Sequence, residues 1–223
     1  MRYTMTTTSV AVRHGGTGTH VGRPISPDCA LASSTVNRAR SMRSAPSAGV
    51  VSRSMVADFA HSSVDVVAAA LVESFDFAGT PCGILAPLLD GLVRRGASLT
   101  YIHREDVAVA FAVGVNLAGG HLCVFMQNSG FGQSVNVLAS LVEPFRAPLP
   151  MIVSMRGTGT DTTSENRGMG RTTIPVLQAL GIPFRWLSVD HPTADITWLS
   201  TQICNTGGPA AVLVEPGYFG WRP

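Results

Sequence analysis

Six short apolar runs, rich in β-branched and aromatic residues, punctuate residues 75–215, and helical spacing fills the intervals between them. Strands of that kind, alternating with helices, belong to a parallel doubly wound sheet covered on both faces. The spacing predicts helices over 62–74, 83–95, 104–118, 132–143, 172–180 and 192–205. It predicts strands over 75–80, 97–102, 121–126, 149–155, 183–188 and 210–215. The expected fold class is therefore α/β, with a mostly parallel six-stranded sheet. Ser62 or Ser63 is placed to cap the first helix, and Gly119–Gly120 and Gly181 to close two later ones.

Ligands of an open parallel sheet gather at the carboxyl ends of the strands, beside helix N-termini. Two stretches of this chain have that address. Glu105 follows the strand "ASLTYI" (97–102) and opens the helix 104–118. The apolar run "HLCVFM" (121–126) hands over to Gln127, Asn128, Ser129 and Gly130. There Asn128 or Ser129 is available to cap a helix whose apolar positions are Val135, Leu138 and Leu141 or Val142. A carboxylate in a first helical turn is, by itself, a common response to the macrodipole. An Asn-Ser-Gly corner is, by itself, a turn. Consecutive βα units that carry both point to a site.

The chain has 223 residues, 45% of them hydrophobic and 13% charged, which is enough for one α/β domain with a sizeable core. Its mean hydropathy of +0.25 suits a subunit that buries surface against partners. No apolar run reaches 18 residues, so no membrane partner is expected. All the basic residues are arginines, and residues 1–57 hold seven of them (positions 2, 13, 23, 38, 40, 43 and 53) against one acid, Asp28. The expected organisation is a basic tail, 1–57, on a mildly acidic domain, 58–223. The tail is rich in Ser, Thr, Gly and Arg without an apolar period and reads as disordered. It lacks the aromatic interleaving of a nucleic-acid binder. A transit-like segment and an over-extended reading frame that truly starts at Met42 or Met55 are both open. Cys29, Cys82, Cys123 and Cys204 form neither a CxxC nor a zinc spacing. They fit a reducing, cytoplasmic setting, and no metal-ligand set is expected in the chain. Cys123 reads as core, whereas Cys82, in "TPCGIL" at the end of the first strand, is a candidate to line the site.

Five stretches carry a resemblance. They are "GTPCGIL" (79–85), "REDVAVAFAVGVNLAGG" (104–120), "MQNSGFGQSVNVLASL" (126–141), "PLPMIVSMRG" (148–157) and "MGRTT" (169–173). From about Phe75 to Glu215 the chain resembles the pyrimidine-binding domain of thiamine-diphosphate enzymes. It is most similar to the alpha chain of sulfopyruvate decarboxylases and to the matching half of phosphonopyruvate decarboxylases. The Gln-Asn-Ser-Gly phrase is fairly specific to that subgroup, and Glu105 followed nine residues later by Gly114 belongs to the wider superfamily.

The resemblance implies that Glu105 is the catalytic carboxylate. In the family it bonds a ring nitrogen of the cofactor's aminopyrimidine and drives the tautomer that removes the thiazolium proton. Gln127, Asn128, Ser129 and Gly130 are implied in binding thiamine diphosphate beside it. Pro81, Cys82, His103, Arg156, Arg167 and Arg171 are candidates for the substrate side. Arginine suits the sulfonate or phosphonate of a 3-substituted pyruvate.

In these enzymes a second domain with a Gly-Asp-Gly phrase and a downstream Asn holds the diphosphate through a divalent ion. This chain has no Gly-Asp-Gly. Its one Asp-Gly, Asp90-Gly91, falls inside the expected helix 83–95, and no Walker or GxGxxG loop is present. The expectation is half an enzyme, inert alone. A separate beta chain would hold the diphosphate and Mg2+, making a hetero-oligomer that releases carbon dioxide and an aldehyde from sulfopyruvate or phosphonopyruvate. A carboligase and a non-catalytic subunit that kept the fold are the alternatives. The stretch 156–171, "RGTGTDTTSENRGMGR", reads as a long loop. It departs from the relatives, which carry a Pro-Gln-His-like stretch before "MGR" where this chain has "SENRG"; His103 is a candidate to compensate.

Overall fold

The computed structural model describes residues 53–223, with side chains from residue 63 onward. Six parallel strands form one sheet: β1 (Asp76–Gly79), β2 (Leu99–Tyr101), β3 (Leu122–Gln127), β4 (Leu149–Ser154), β5 (Phe184–Trp186) and β6 (Pro209–Val214). Their order is β2-β1-β3-β4-β6-β5, and every pairing is parallel. The central strands β3 and β4 are the apolar runs that the sequence marks most clearly, and β4 is buried along its whole length. The edge strand β2 is shorter than the expected 97–102 and half-exposed, which suits a strand paired on one side only.

The helices divide between the two faces of the sheet. Helices α1 (Arg53–Val72), α2 (Ala86–Arg94) and α8 (Pro192–Thr206) share one face. There Val67, Leu71, Leu88, Leu92 and Leu199 pack with Phe77, Phe125 and Val212. Helix α3 (Glu105–Leu117), the short helices α4 (Asn128–Gln133), α5 (Val135–Val137) and α6 (Glu143–Phe145), and α7 (Arg167–Ala179) cover the other. On that side Ala108, Val109, Ala112, Phe131, Leu138 and Leu177 meet Val124, Met126, Met151 and Val153. The layout is the doubly wound α/β fold expected from the alternation.

The chain leaves β1 toward β2 on one side and leaves β3 toward β4 on the other. The loops after β1 and β3 therefore diverge and leave a crevice at their carboxyl ends, the place where such sheets take ligands. Gly79 lets β1 end hard against β3. Its φ is +154° and a methyl there would collide with the Phe125 carbonyl.

Three boundaries differ from expectation. Helix α1 starts at Arg53, so Ser63 lies inside it, buried, and Ser62 also falls within the helix; neither begins it. The boundary at residue 57 falls inside the same helix, and residues 1–52, Cys29 included, lie outside the described residues. The expected helix 132–143 is a broken run from Asn128 to Phe145 with a π-turn at Leu138–Val142. The break follows Ser134, whose hydroxyl bonds back to the Gly130 carbonyl at 2.8 Å and competes for the helical acceptor. Helix α7 begins at Arg167, not 172, after a 3-10 turn at Ser164–Asn166. No described helix is long and apolar enough to cross a membrane.

Candidate active site

Glu105 is the first residue of α3, and Arg104 before it has extended backbone. The neighbouring Asp106 is tied to Arg104 by a forked ion pair, with contacts of 3.1 and 2.7 Å, and it accepts the Val107 N–H at 2.9 Å. Those bonds hold the Asp106 carboxyl below its usual range and leave Glu105 the free acid of the turn. Glu105 is half-buried, and among the described residues nothing hydrogen-bonds or ion-pairs with its side chain. Its side chain reaches from α3 to α4 and lies against the Cα of Gly130: a methyl at Gly130 would collide with the Cγ, Cδ and Oε1 of Glu105. The two phrases singled out in the sequence meet at this contact.

The corner 127–130 is built differently from a capped turn. Asn128 does not cap; it is the first helical residue of α4 and is fully buried. Its amide donates to the Arg156 carbonyl at 2.9 Å and accepts the Arg156 N–H at 3.1 Å. That two-point contact carries the tie between β3 and β4 two residues past Ser154 and commits both ends of the amide. Asn128 is thus a fixture of the crevice floor, and its buried side chain is not open to a ligand. Ser129 does not cap either: it is exposed and accepts a hydrogen bond from the Gln127 amide at 2.7 Å, so those two side chains form the outer lip. Phe131, fully buried, anchors α4 to the sheet.

On the β1 side, Thr80 donates its hydroxyl to the Ile102 carbonyl at 2.8 Å and clips the loop after β1 to the loop after β2. This brings the exposed Pro81 and the exposed His103 to neighbouring positions on the rim. Cys82, half-buried, lies 3.1 Å from the buried hydroxyl of Ser154 at the end of β4. Cys123 is core, as expected, and burial pushes its thiol up, away from the reactive range.

Among the described residues none of the three arginines pairs with Glu105. Arg156 is taken within the chain: its Nε is 2.6 Å from Asp161 and its guanidinium stacks over Trp221 at 4.6 Å from the ring centroid. Asp161 is the hub of the segment expected as a long loop. It accepts from Arg156, from the Gly157 N–H at 2.9 Å, from Asn166 at 3.1 Å and from both the N–H and the hydroxyl of Thr163. Burial works to raise its pKa, but these donors outweigh burial and hold the carboxyl well below the usual range. Arg167 and Arg171, four residues apart on α7, share an exposed face. Met169, between them, points the opposite way into α4, where a methyl at Gly132 would meet its Cε at 2.6 Å.

Asp161, Thr80, Gly132 and Met169 were missed as site-building residues. "DTT" is an Asx-type signature that marks Asp161 as a loop organiser, whereas the Gly132–Met169 contact joins residues with no pattern in common. Among the described residues no group of three His, Cys, Asp or Glu is placed to hold a metal.

No family model matches the chain. Individual proteins do. The sulfopyruvate decarboxylase subunit alpha of Methanothermobacter thermautotrophicus is 36% identical over 148 residues, spanning 65% of this chain and 89% of that protein. The phosphonopyruvate decarboxylase of Streptomyces viridochromogenes is 39% identical over 99 residues, 43% of this chain but 25% of that protein. Among solved structures, a 2-oxoglutarate:ferredoxin oxidoreductase from Magnetococcus marinus shares the fold, with a TM-score of 0.51 at 16% identity. The match covers 74% of this chain and 31% of that one.

Proposed function

The chain belongs to the family of sulfopyruvate decarboxylase alpha subunits, and from that premise we propose that it is the pyrimidine-side half of a two-chain, thiamine-diphosphate-dependent 2-oxoacid decarboxylase. The substrate is an anionic 3-substituted pyruvate, sulfopyruvate or phosphonopyruvate, and the products are carbon dioxide and an aldehyde. The observation that carries this reading is the Glu105 carboxylate, unpartnered within the described chain and seated against Gly130 at the switch point of the sheet.

The residues fit the cofactor. A carboxylate with open hydrogen-bonding capacity beside a side-chain-free corner offers an edge on which a flat ring nitrogen can dock. When bound, thiamine diphosphate supplies the carbanion chemistry that splits off carbon dioxide. The chain's own part is positional and acid–base. Glu105 holds and returns a proton at the ring nitrogen. Gly130 keeps the floor flat, and Asn128 holds β3 and β4 together beneath it. Gln127 and Ser129 form a polar lip toward the ring. Pro81, Cys82 and His103 line the substrate side, whereas Arg156, spent on Asp161, acts as a strut.

A partner chain completes the proposal. Relatives of this family carry the name subunit alpha. Helix α3 supports the same reading, because from Val107 to Gly120 it and its cap contain no charged residue. Val107, Phe111 and Leu117 are 50%, 46% and 63% exposed. Gly114, on the same exposed face, has nothing within 4 Å of an added methyl. A mid-helix glycine costs about 1 kcal/mol relative to alanine. Gly91 in α2 has a reason inside the chain, the close approach of Val64, whereas Gly114 has none within 4 Å. A surface that starts one turn from Glu105 and leaves room for close approach fits a second chain, the one that brings the Gly-Asp-Gly phrase, Mg2+ and the diphosphate grip.

The test is carbon dioxide release from sulfopyruvate and phosphonopyruvate by this chain co-expressed with its partner, with thiamine diphosphate and magnesium, beside Glu105→Gln. Turnover of one acid that disappears in the variant supports the proposal and chooses the substrate. A complex that binds the cofactor and releases no carbon dioxide points instead to carboligation. A complex that binds no cofactor leaves a non-catalytic subunit.

A further inference from the structure

Helix α4 is wedged between two other helices by its two glycines. Gly130 and Gly132 are two residues apart, so they look toward roughly opposite sides of a helical turn. Against Gly130 lies the Glu105 carboxylate from α3; against Gly132 lies the Met169 thioether from α7. Met169 is itself held. Its sulfur lies 3.8 Å from the Thr172 hydroxyl, and the next residue, Gly170, fits against the Gly157 and Arg156 carbonyls with no space for a methyl. Gly157 in turn fits, at a φ of +73°, against the Asn166 carbonyl, inside the loop organised by Asp161. A continuous run of contacts thus leads from the Asp161 clasp through the first turn of α7 and Met169 to α4 and the carboxylate.

We propose that Met169 is a positioning residue for Glu105, acting through Gly132 and α4. The inference rests on the reading that Glu105 contacts the cofactor, and it deepens it. Met169 fills the volume that Gly132 leaves, and this sets how far α4 stands toward α3 and so where the carboxylate lies. The residue touches neither cofactor nor substrate. A methyl at Gly132 displaces α4 toward Glu105 or displaces α7 outward. Truncating Met169 frees that volume again.

The experiment is a pair of double-mutant cycles on this chain co-purified with its partner, read by calorimetric titration with thiamine diphosphate and magnesium and by carbon dioxide release from sulfopyruvate. Gly132→Ala is expected to weaken cofactor binding or turnover about 10-fold, and adding Met169→Ala to restore it to within about 3-fold. In a Glu105→Ala background, read by cofactor binding because turnover there is expected to be lost, Gly132→Ala is expected to have little further effect, because the residue it acts on is gone. A Gly132→Ala effect that persists undiminished without Glu105, or that Met169→Ala does not relieve, overturns the inference and leaves the decarboxylase reading standing. A Glu105→Ala chain that binds cofactor and turns over like wild type overturns that reading, and this inference falls with it.

Discussion

The Glu105 carboxylate rests on the bare Cα of Gly130, from a different βα unit, at a distance that leaves no room for a single methyl. The contact makes an ordinary helix-start acid into a shaped one. A carboxylate at the head of an isolated helix swings in solvent. This one is backed by a second helix, which narrows its rotamers while its oxygens keep their hydrogen-bonding capacity for a ligand. Gly130→Ala therefore separates catalysis from folding. Gly130 is in helical backbone without a positive φ, so alanine there is favoured by helix propensity by about 1 kcal/mol. The methyl must displace the carboxylate. The expected result is a melting temperature at or near that of wild type with turnover reduced about 100-fold, the scale of a catalytic group misplaced by roughly an ångström. A steep loss of thermal stability in a calorimetric scan would show that the collision is relieved by the core instead.

Asn128 gives a stability prediction with a defined sign. Its amide replaces a strand neighbour for Arg156, donating to the carbonyl and accepting the N–H in a fully buried place. Asn128→Ala strands both backbone groups, each worth about 1–3 kcal/mol when orphaned. Asn128→Asp keeps the shape and the acceptor but sets a buried carboxylate against the Arg156 carbonyl. Urea titration should rank them wild type above both variants, and the midpoint of the Asp form should recover as pH falls and the carboxyl takes up a proton.

The visible and hidden parts of this molecule divide along physical lines. The central strands were legible because fully buried parallel strands must be continuous apolar runs, and "HLCVFM" and "LPMIVS" have few other uses. Glu105 and the corner at 127–130 were legible as neighbours because consecutive βα units deliver their loops to one end of the sheet. The local form of that corner was not. Asn, Ser and Gly are turn and cap residues in isolation, and only the bonds to Arg156 and the burial of Phe131 make them helical. The same competition hid the start of α7, where Gly168 and Gly170 read as loop although Gly170 is helical because the Gly157 carbonyl occupies the space of a side chain. The contacts that hold Arg156, a candidate for the substrate side, were hidden because one of its partners, Trp221, lies at the far end of the chain, beyond any local pattern.

The Asp161 clasp predicts a pH response. Its folded-state pKa is depressed, so the stability it contributes is present above the unfolded value of about 3.9. That contribution is lost only as pH falls through the lower folded value. The segment 156–171 should therefore stay protected in hydrogen exchange at neutral and mildly acidic pH and open only in strong acid. Asp161→Asn removes the charge that gathers Arg156, Gly157, Thr163 and Asn166. It should open the segment at pH 7 while the strands keep their protection. Protection in the variant equal to wild type would mean that the glycine contacts alone hold the loop.

The last prediction concerns α3. Phe111 stands half-exposed on an uncharged helix face, one turn before Gly114, where nothing of the described chain comes within 4 Å of an added methyl. If a second chain seats there, a charge at Phe111 must be desolvated on docking, and a bulky side chain at Gly114 must hold the partner off. Phe111→Glu and Gly114→Leu are each expected to weaken association with the partner by about 30-fold or more, the effect of losing an interface anchor worth about 2 kcal/mol. Neither should unfold the chain, since both positions face outward, and Gly114→Leu should raise the isolated chain's melting point by improving helix propensity. Sedimentation velocity on the mixed chains reads the first effect and circular dichroism the second. The combination of a stabler subunit and a weaker complex separates an interface from a core position: a core substitution lowers both quantities together, and a solvent-facing one changes neither association nor activity.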